Sequence, residues 1–326
     1  MKTLWQEQYG GPETLSFHQV PIPAPGRGEV LVRVRAASID LGTHHLMSGL
    51  PLVMRPVTGL RAPRQHVPGR AFAGVVEAVG EGVIRVAPGD AVLGTASGSL
   101  AELAVAREDK LAPTPASLGF AEAAAAPVSA VTALQGLRDV GRIEAGQSVL
   151  VIGASGGVGT YAVQLARALG ADRVDAVCSG AKADLVSSLG ADDVVDYTRG
   201  EPGADGRRWD LVLDIAGNRP VATLRRLLTP RGTLVFVGGE GGGRWFGGMQ
   251  RQLGAAALSP LVRHRLAMYV ARENGRDLAT IGELADGGQL SSVVDGPYPF
   301  AEAARAIARL DAGAARGKVV VTVGDA

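Results

Sequence analysis

The sequence predicts an α/β protein in which a doubly wound parallel sheet is inserted into a β-rich domain. Three observations support this prediction. A strand, a glycine turn and a helix follow one another within residues 147–170. Strands alternate with helices after that point, which is typical of a parallel sheet. Short strands at close spacing come before it, and a further helix and two strands form the C-terminal tail.

The glycine turn is the central feature of the sequence. Residues 149–152 are a short run of branched apolar side chains, typical of a buried strand, and residues 160–169 have the periodicity of a helix that ends at Gly170. Such a turn presents backbone N–H groups at a helix N-terminus, where the helix dipole favours a pyrophosphate. The sequence therefore predicts dinucleotide binding; the alternative is a purely structural turn, since tight turns also need glycine.

The spacing within the turn departs from the dinucleotide-binding fingerprint at one position. The fingerprint is G-x-G-x-x-G, and this chain has Ala154, Gly156 and Gly159 in its place. The elements that follow support the prediction nevertheless. Strands are predicted at residues 173–178, 193–196, 209–215, 232–237 and 263–271, and helices at 182–189, 219–228 and 277–286.

The end of the second predicted strand indicates which dinucleotide is bound. NAD sites usually carry Asp or Glu there, about 20 residues after the glycines, to bind the ribose 2′-hydroxyl. This chain has Cys178, Ser179 and Gly180 there, with Lys182 just beyond. A hydroxyl and an ammonium suit a 2′-phosphate, so we predict NADPH. The alternative is that Lys182 is a solvated residue in the first turn of a helix.

The flanking parts of the chain predict a mainly antiparallel β domain. Its strands are predicted at residues 30–36, 74–79 and 91–94, followed by a helix over residues 120–137 that is interrupted near Pro127. The tail has a short strand at 293–294, a helix at 301–310 and a strand at 318–323. Because these three elements cannot form a core alone, we expect the tail to complete the N-terminal domain. The predicted domains are residues 1–120 with 288–326, and residues 121–287.

Composition excludes several classes of function. The 326 residues carry a formal net charge of +1 and 4% aromatic residues, which argues against nucleic acid as a partner. The single cysteine, Cys178, excludes an internal disulfide and a multi-cysteine zinc site. The N-terminus lacks the apolar core of a signal peptide, and the apolar run near Ala123 is too short to span a bilayer. We therefore expect a soluble cytoplasmic protein without a membrane partner.

Several motifs occur together in an order that resembles the medium-chain dehydrogenase/reductase superfamily, in its zinc-free NADPH quinone oxidoreductase-like branch. They are AASID (36–40), VPGRAFAGVVEAVG (67–80), PGDAVLG (88–94), TALQGL (132–137), GASGGVG (153–159), SLGADDVVDY (188–197) and ARGKVVVTV (315–323). The resemblance covers nearly the whole chain. It implies a Rossmann domain inserted into an alcohol dehydrogenase-like, GroES-like catalytic domain, a cleft between the two, and a homodimer.

The same resemblance bears on zinc, which many relatives use. The family's first cysteine ligand falls on Asp40, its histidine ligand falls on Arg70, and Ala71 replaces the acid that follows. An arginine cannot bind a metal ion. His44 and His45 are adjacent, so they do not share a helix face. We therefore predict no metal site.

Without a metal, the chemistry needs a donor for the substrate oxygen on which negative charge develops. The predicted catalytic residues are Asp40, His45 and Thr132. Relatives often carry Asn at the Asp40 position and Tyr at the His45 position. An ionised Asp40 suits the orientation of ribose or nicotinamide better than oxyanion stabilisation, whereas a protonated His45 could donate a proton. The alternatives are a packing or surface histidine and an ordinary helix threonine.

The predicted cofactor-binding residues follow the predicted strands. They are Ser155, Gly156, Gly157, Val158, Ser179, Lys182, Tyr197, Ala216, Gly217, Gly238 and Gly239. By resemblance, Tyr197 helps to bind the 2′-phosphate; the alternative is a half-buried strand tyrosine. The glycine-rich segment at 238–248 follows a strand and is expected on the ligand side of the sheet.

Together these observations predict an NADPH-dependent, zinc-independent reductase of quinones or α,β-unsaturated carbonyls. Hydride transfer to an activated C=C bond or a quinone does not require a Lewis acid, whereas zinc-independent alcohol or aldehyde oxidoreduction requires a protein acid or base. A catalytically idle NADPH-binding sensor is the alternative outside enzyme chemistry.

Overall fold

A computed structural model describes residues 1–239 and 243–324. Part of the predicted glycine-rich segment, residues 240–242, lies outside the described residues. Contacts divide the chain into two units. The first contains Met1–Val131 and the chain from Glu273 onward, and the second contains Thr132–Arg272. Within the described residues, no helix is both long and apolar enough to cross a membrane.

The secondary structure follows in chain order. The strands are β1 Lys2–Gln6, β2 Leu15–Gln19, β3 Glu29–Ile39, β4 Ala71–Val79, β5 Ala91–Thr95, β6 Leu103–Arg107, β7 Leu111–Pro113, β8 Ser148–Ile152, β9 Arg173–Cys178, β10 Asp193–Asp196, β11 Trp209–Asp214, β12 Leu228–Phe236, β13 Arg265–Met268, β14 Val294–Pro299 and β15 Lys318–Thr322. The helices are α1 Leu41–Ser48, α2 Arg55–Thr58, α3 Phe120–Gln135, α4 Gly157–Ala168, α5 Ala183–Ser188, α6 Val221–Arg225, α7 Met249–Leu258, α8 Gly275–Asp286 and α9 Ala303–Asp311.

The first unit is built on a mainly antiparallel sheet in the order β14-β15-β3-β4-β5-β7, with β6 also paired to β3. In β3, buried Val32 and Val34 alternate with exposed Arg33 and Arg35, because successive side chains of a strand point to opposite faces. The C-terminal strand β15 pairs antiparallel with the end of β3, and Val319 lies opposite Ile39. The tail of the chain therefore forms part of the N-terminal sheet.

The second unit is built on a six-stranded parallel sheet in the order β10-β9-β8-β11-β12-β13. Val149 to Ile152 of β8 are fully buried, as expected for a central strand covered on both faces. The predicted doubly wound sheet and its combination with an antiparallel β sheet are confirmed.

Two local predictions are wrong. Helix α3 continues through Pro127 without interruption. The residues before Pro127 are the buried alanines 123–126, and their burial stabilises the helix despite the hydrogen bond lost at the proline. The helix predicted over residues 219–228 is limited to Val221–Arg225, because Leu228 already pairs with Trp209 as the first residue of β12.

Contacts assign helix α8 to a different unit from the one that the sequence pattern predicts. It packs against β5 and β7 of the first unit. The sequence pattern had grouped it with the parallel sheet, because it follows the last strand of that sheet. Our domain boundaries at residues 120 and 287 stay predictions, since the two units are defined by contacts alone.

Candidate functional site

The turn between β8 and α4 owes its shape to two glycines. Gly153 has a φ of +89°, and a Cβ placed there would lie 3.0 Å from the Ala216 backbone nitrogen. A Cβ on Gly159 would overlap the Gly153 carbonyl oxygen and the Ala154 backbone. Gly153 therefore provides the left-handed turn for which the fingerprint uses its first glycine, and Ala154 beside it is fully buried. Sequence analysis compared Ala154 with the fingerprint and missed this substitute.

Helix α4 begins with residues whose side chains are absent or small. Gly156 is the N-cap, and the first intrahelical bond runs from Thr160 N to Gly156 O at 3.0 Å. The amides of the first turn of an α-helix have no intrahelical acceptor. Ser155, Gly157 and Val158 are partly exposed, so these amides can be reached by a ligand. With the helix dipole behind them, they form an anion-binding terminus.

The sheet brings the predicted cofactor-binding residues to one edge. In the strand registers, Ile152 lies opposite Val177 and Asp214, Cys178 opposite Asp196, and Asp214 opposite Phe236. The candidates follow the carboxyl ends of these strands: Ser155, Gly156, Gly157 and Val158 after β8; Ser179 and Lys182 after β9; Tyr197 after β10; Ala216 and Gly217 after β11; Gly238 and Gly239 after β12. Ligands of doubly wound proteins bind at this edge.

The corner formed by β9 and β10 contains the residues predicted to select the cofactor. The Tyr197 amide donates to the Cys178 carbonyl oxygen at 3.2 Å, and Tyr197 as a whole residue is 53% exposed. Ser179 precedes a short 3-10 turn that ends at Lys182, and both are partly exposed. Burial raises the pKa of the adjacent Cys178 thiol, so this cysteine is a packing residue rather than a reactive one.

One acid at this corner was not anticipated. The Asp196 carboxylate lies against Gly180 and accepts hydrogen bonds from the Thr198 amide at 2.9 Å and the Thr198 hydroxyl at 2.8 Å. These bonds hold the pKa of Asp196 below its ordinary value. The Asp-x-Thr pattern of residues 196–198 is typical of an Asx turn and could have indicated this role. Asp196 is therefore engaged in shaping its own turn.

A buried ion pair fixes the neighbouring turns. Asp214 has no solvent exposure; its Oδ2 lies 2.8 Å from an Arg251 Nη, and its Oδ1 accepts from the Gly217 amide at 3.3 Å. Burial raises the pKa of Asp214, and the Arg251 charge opposes that rise. The Arg251 guanidinium also donates to the Arg219 carbonyl oxygen at 2.7 Å and lies 5.1 Å from the Phe236 ring centroid. The pair thus anchors the turn after β11 to α7, which sequence analysis missed because the partners are distant in the chain.

Asp40 lies where β3 passes into α1. Its Oδ1 accepts from the Thr43 amide at 2.8 Å and the Thr43 hydroxyl at 3.2 Å, so Asp40 is the N-cap of α1. Its Oδ2 lies 3.5 Å from Nζ of Lys318, a side chain that is 2% exposed. Sequence analysis missed Lys318, which reaches Asp40 only because β15 pairs with β3.

The pKa values of Asp40 and Lys318 follow from burial and mutual attraction. Burial disfavours the Asp40 carboxylate, but the Lys318 charge and the Thr43 hydrogen bonds more than offset it, and the pKa of Asp40 lies below its ordinary value. Burial lowers the pKa of Lys318, and the Asp40 charge opposes that fall. Asp40 is therefore an ionised carboxylate that cannot donate a hydrogen bond.

The two other predicted catalytic residues have less distinctive surroundings. His45 is half-buried in α1, with its ring centroid 5.9 Å from that of His44 in an edge-on arrangement. His44 Nδ1 lies 2.7 Å from an Asp311 carboxylate oxygen, which ties α1 to α9. Thr132 belongs to the second unit, and its carbonyl oxygen accepts the hydroxyl of Tyr269. Burial raises the pKa of Tyr269, so its hydroxyl keeps its proton and remains a donor.

The positions that correspond to zinc ligands have other partners. Arg70 donates to a Glu273 carboxylate oxygen at 2.8 Å, and Asp40 is engaged by Thr43 and Lys318. Across residues 1–239 and 243–324, no group of three or more His, Cys, Asp or Glu side chains is arranged to hold a metal ion.

Comparison with known proteins identifies the family. Residues 26–135 match the alcohol dehydrogenase GroES-like domain, and residues 189–321 match a family described as zinc-binding dehydrogenase. The chain is 32% identical to the chloroplastic quinone-oxidoreductase QR1 of Triphysaria versicolor over 98% of both chains. It is 33% identical to the mitochondrial NAD(P)H oxidoreductase RTN4IP1 of Mus musculus, over 97% of this chain and 88% of that protein.

A solved structure supports the same family assignment. A mycobacterial protein solved in complex with NADPH superimposes with a TM-score of 0.83 at 28% identity, over 99% of this chain and 100% of that one. The chain therefore belongs to the medium-chain dehydrogenase/reductase superfamily, in its quinone-oxidoreductase-like branch, and is an oxidoreductase that uses a nicotinamide cofactor.

Proposed function

We propose that the protein is an NADPH-dependent, zinc-independent reductase of quinones or α,β-unsaturated carbonyls. The observation that carries the proposal is the edge of the parallel sheet, where an anion-binding helix terminus lies next to a corner with a hydroxyl and an ammonium. The names of the quinone oxidoreductase relative and the NADPH-bound mycobacterial protein support it.

The cofactor fits the residues at this edge. Gly156, Gly157 and Val158 would hold the pyrophosphate through their amides, since a larger side chain at Gly156 or Gly157 would stand between the backbone and the phosphates. Ser179, Lys182 and the Tyr197 ring would surround the 2′-phosphate. The Asp196 carboxylate is ionised, accepts from Thr198 and lies 3.7 Å from Arg199, and we propose that it shapes its own turn rather than binding the ribose 2′-hydroxyl. Ala216, Gly217, Gly238 and Gly239 would border the nicotinamide end.

Zinc does not fit the residues of the first unit. A catalytic zinc needs about three ligands from Cys, His or acidic residues. Arg70 stands at one ligand position with its charge directed to Glu273, and the Asp40 carboxylate already balances Lys318. A divalent ion at this place would have to displace a buried ammonium. We therefore propose chemistry in which protein groups alone polarise the substrate.

When bound, the nicotinamide supplies a hydride to the electrophilic carbon of the substrate. The protein then has to stabilise the charge on the substrate oxygen, for which the Thr132 hydroxyl or the His45 imidazole is the proposed donor. For Asp40, which stays a predicted site residue, the contacts support a positioning role. Because Thr43 and Lys318 occupy its oxygens, we propose that it positions the start of α1, the helix that carries His45.

The decisive experiment follows the absorbance of NADPH, with NADH in parallel, against a panel of quinones, enones and aldehydes, with and without a chelator. We expect oxidation of NADPH on quinones or enones, much slower oxidation of NADH, and no effect of the chelator. Tight NADPH binding without turnover on any substrate contradicts the proposal and favours a sensor. Activity confined to aldehydes favours an alcohol or aldehyde oxidoreductase, and loss of activity with the chelator contradicts zinc independence. The homodimer and the cytoplasmic location stay predictions.

A further inference from the structure

Exposed apolar side chains are concentrated in one short segment of the first unit. Among the residues that the structure describes, fifteen large apolar side chains are exposed, and six of them lie within residues 41–60. They are Leu41, Leu46, Val53, Met54, Val57 and Leu60. Val57 is 68% and Leu60 70% exposed, values that a side chain of a packed core never has. An exposed apolar group of this kind marks an interaction surface.

The chain that contains and directly follows this segment is basic. Between Asp40 and Glu77 it has four arginines, at positions 55, 61, 64 and 70, and no aspartate or glutamate. Arg70 pairs with Glu273 at 2.8 Å and Arg55 lies against the Tyr9 ring, so the charges that remain for the surface are those of Arg61 and Arg64. The protein as a whole carries a formal net charge of only +1. Arg61 and Arg64 are exposed, and Arg64 donates to the Val57 carbonyl oxygen at 3.2 Å. Positive charge and exposed apolar area therefore occur side by side, which the net charge of the chain conceals.

Contacts with Tyr9 and a hydrogen bond within the loop fix the conformation of the segment, so its exposed side chains belong to a defined surface. The Tyr9 hydroxyl donates to the Gly59 carbonyl oxygen at 2.6 Å, and the Arg55 guanidinium lies 4.6 Å from the Tyr9 ring centroid. The Arg64 amide donates to the Thr58 carbonyl oxygen at 2.8 Å and closes the loop. Val53 and Met54 precede Val57 by four and three residues in consecutive helical turns, so the three side chains lie near one another.

The shape beside this surface disfavours a small apolar ligand as the occupant. A cavity lined by Leu46, Thr58 and Pro63, among others, has a volume of about 30 Å³. That volume holds one or two water molecules and no alkyl tail. A surface with projecting apolar side chains and arginines matches a broad, flat and anionic partner better than a small molecule.

We propose that Val53, Met54, Val57 and Leu60, with Arg61 and Arg64, form a docking surface for a membrane that contains anionic lipid. The apolar side chains insert at the boundary between headgroups and acyl chains, and the arginines lie against the lipid phosphates. This is peripheral binding by one face of the first unit. Sequence analysis expected no membrane partner. That expectation rested on composition and span length, and neither reports which side chains are exposed.

The test uses the full chain and vesicles in a flotation assay. Vesicles of phosphatidylcholine alone are compared with vesicles of phosphatidylcholine and phosphatidylglycerol, at low and high salt. We expect binding to the anionic vesicles, weak binding to phosphatidylcholine, and release as salt rises, since salt screens exposed charges. Absence of binding to the anionic vesicles at low salt overturns the proposal.

Variants at exposed positions sharpen the test without disturbing the core. Leu60→Ser should weaken partitioning about tenfold, from the loss of one inserted leucine, and Arg61→Gln about fivefold. Matched controls are Ile84→Ser, which removes an 89% exposed apolar side chain elsewhere in the first unit, and Arg231→Gln, which removes an exposed charge in the second. Both controls should bind as the wild type does, and equal loss in the controls overturns the proposal.

Two further readouts exclude other occupants. Sedimentation velocity without vesicles should give the same species for wild type and Leu60→Ser; a dissociated oligomer in the variant overturns the proposal in favour of a second copy of the chain. KM for enones of increasing chain length should be unaffected by Leu60→Ser; a selective rise for long chains with unchanged flotation overturns it in favour of a substrate tail. The flotation assay does not depend on turnover, so failure of the proposed reductase activity remains distinguishable.

Discussion

The glycine turn after β8 and the Asp40–Lys318 corner differ in how their geometry arises. The turn is made by residues within the heptapeptide 153–159: Gly159 packs against Gly153 and Ala154, and only the contact of Gly153 with Ala216 reaches outside it. The corner joins residues 278 positions apart through the pairing of β15 with β3. The first is a local arrangement that a motif can reveal. The second exists only after both ends of the chain have met in one sheet.

The energetic character of the two regions also differs. The turn presents polar backbone to a ligand, so substitutions there should affect binding first. The corner removes two charges from water and leaves Lys318 Nζ and Asp40 Oδ2 without hydrogen-bond partners among the described residues. Such a pair contributes little net stability, but the loss of one partner strands the other charge. The comparison can therefore be tested by measuring stability and cofactor affinity on the same variants.

The largest expected effect is on stability at the corner. Lys318→Met should lower the free energy of unfolding by about 3–5 kcal/mol, because it leaves a buried carboxylate without its counter-charge. The double variant Lys318→Met with Asp40→Asn should recover part of that loss, since neither charge remains. Urea unfolding monitored by circular dichroism measures both. A double variant as unstable as the sum of the single ones contradicts a coupled pair.

A second effect is expected on cofactor binding at the turn. Gly159→Ala places a methyl group against the Gly153 carbonyl oxygen, so the turn must shift and NADPH affinity should fall about 100-fold. The matched control is Gly254→Ala in α7, where a Cβ meets no atom within 4 Å. That control should keep its affinity and gain about 0.5–1 kcal/mol in unfolding free energy from its helix propensity. Calorimetric titration with NADPH distinguishes the two; equal affinities would refute the packing role of Gly159.

A smaller and more selective effect is expected from Lys182. Lys182→Glu should weaken NADPH about tenfold or more and leave NADH nearly unchanged, because only NADPH carries the 2′-phosphate that the ammonium is proposed to meet. Arg226→Gln, at an exposed position of the same unit, is the control for a general loss of positive charge. Parallel titrations with both cofactors give the ratio of affinities. An unchanged ratio shows that Lys182 does not read the 2′-phosphate.

The smallest expected effect is the change, at low pH, in the contribution of Asp40 to the free energy of unfolding. The folded-state pKa of Asp40 lies below its ordinary value of 3.8, so its ionisation stabilises the folded state above that value. As pH falls below the ordinary value, the unfolded chain takes up the proton before the folded chain does, and the stabilisation decreases. It is lost once pH has passed the folded-state pKa, where Asp40 is protonated in both states. Asp40→Asn should therefore be less stable than the wild type at neutral pH, with a smaller difference at the acid end. A pH-independent difference in urea midpoints excludes this linkage.

Much of the parallel sheet was predictable because its signals are local. β9 and β10 have the predicted bounds, since branched apolar residues between turn signals indicate a short strand without reference to its neighbours. The edge on which the cofactor candidates meet follows from the rule that parallel strands end together. The course of α3 through Pro127 and the short α6 were not predictable, because burial by other elements decided both.

The sequence by itself determined the class of the fold, the glycine turn and the corner with Ser179 and Lys182, because each depends on residues within a few positions of one another. Tertiary structure decided which carboxylates are engaged and which side chains remain exposed. Only the pairing of β15 with β3 shows that Lys318 lies beside Asp40, and only the folded chain shows that the apolar side chains of residues 53–60 are exposed. The physical reason is that burial and charge pairing are properties of the whole assembled chain, whereas backbone conformation at a glycine is set by its immediate neighbours.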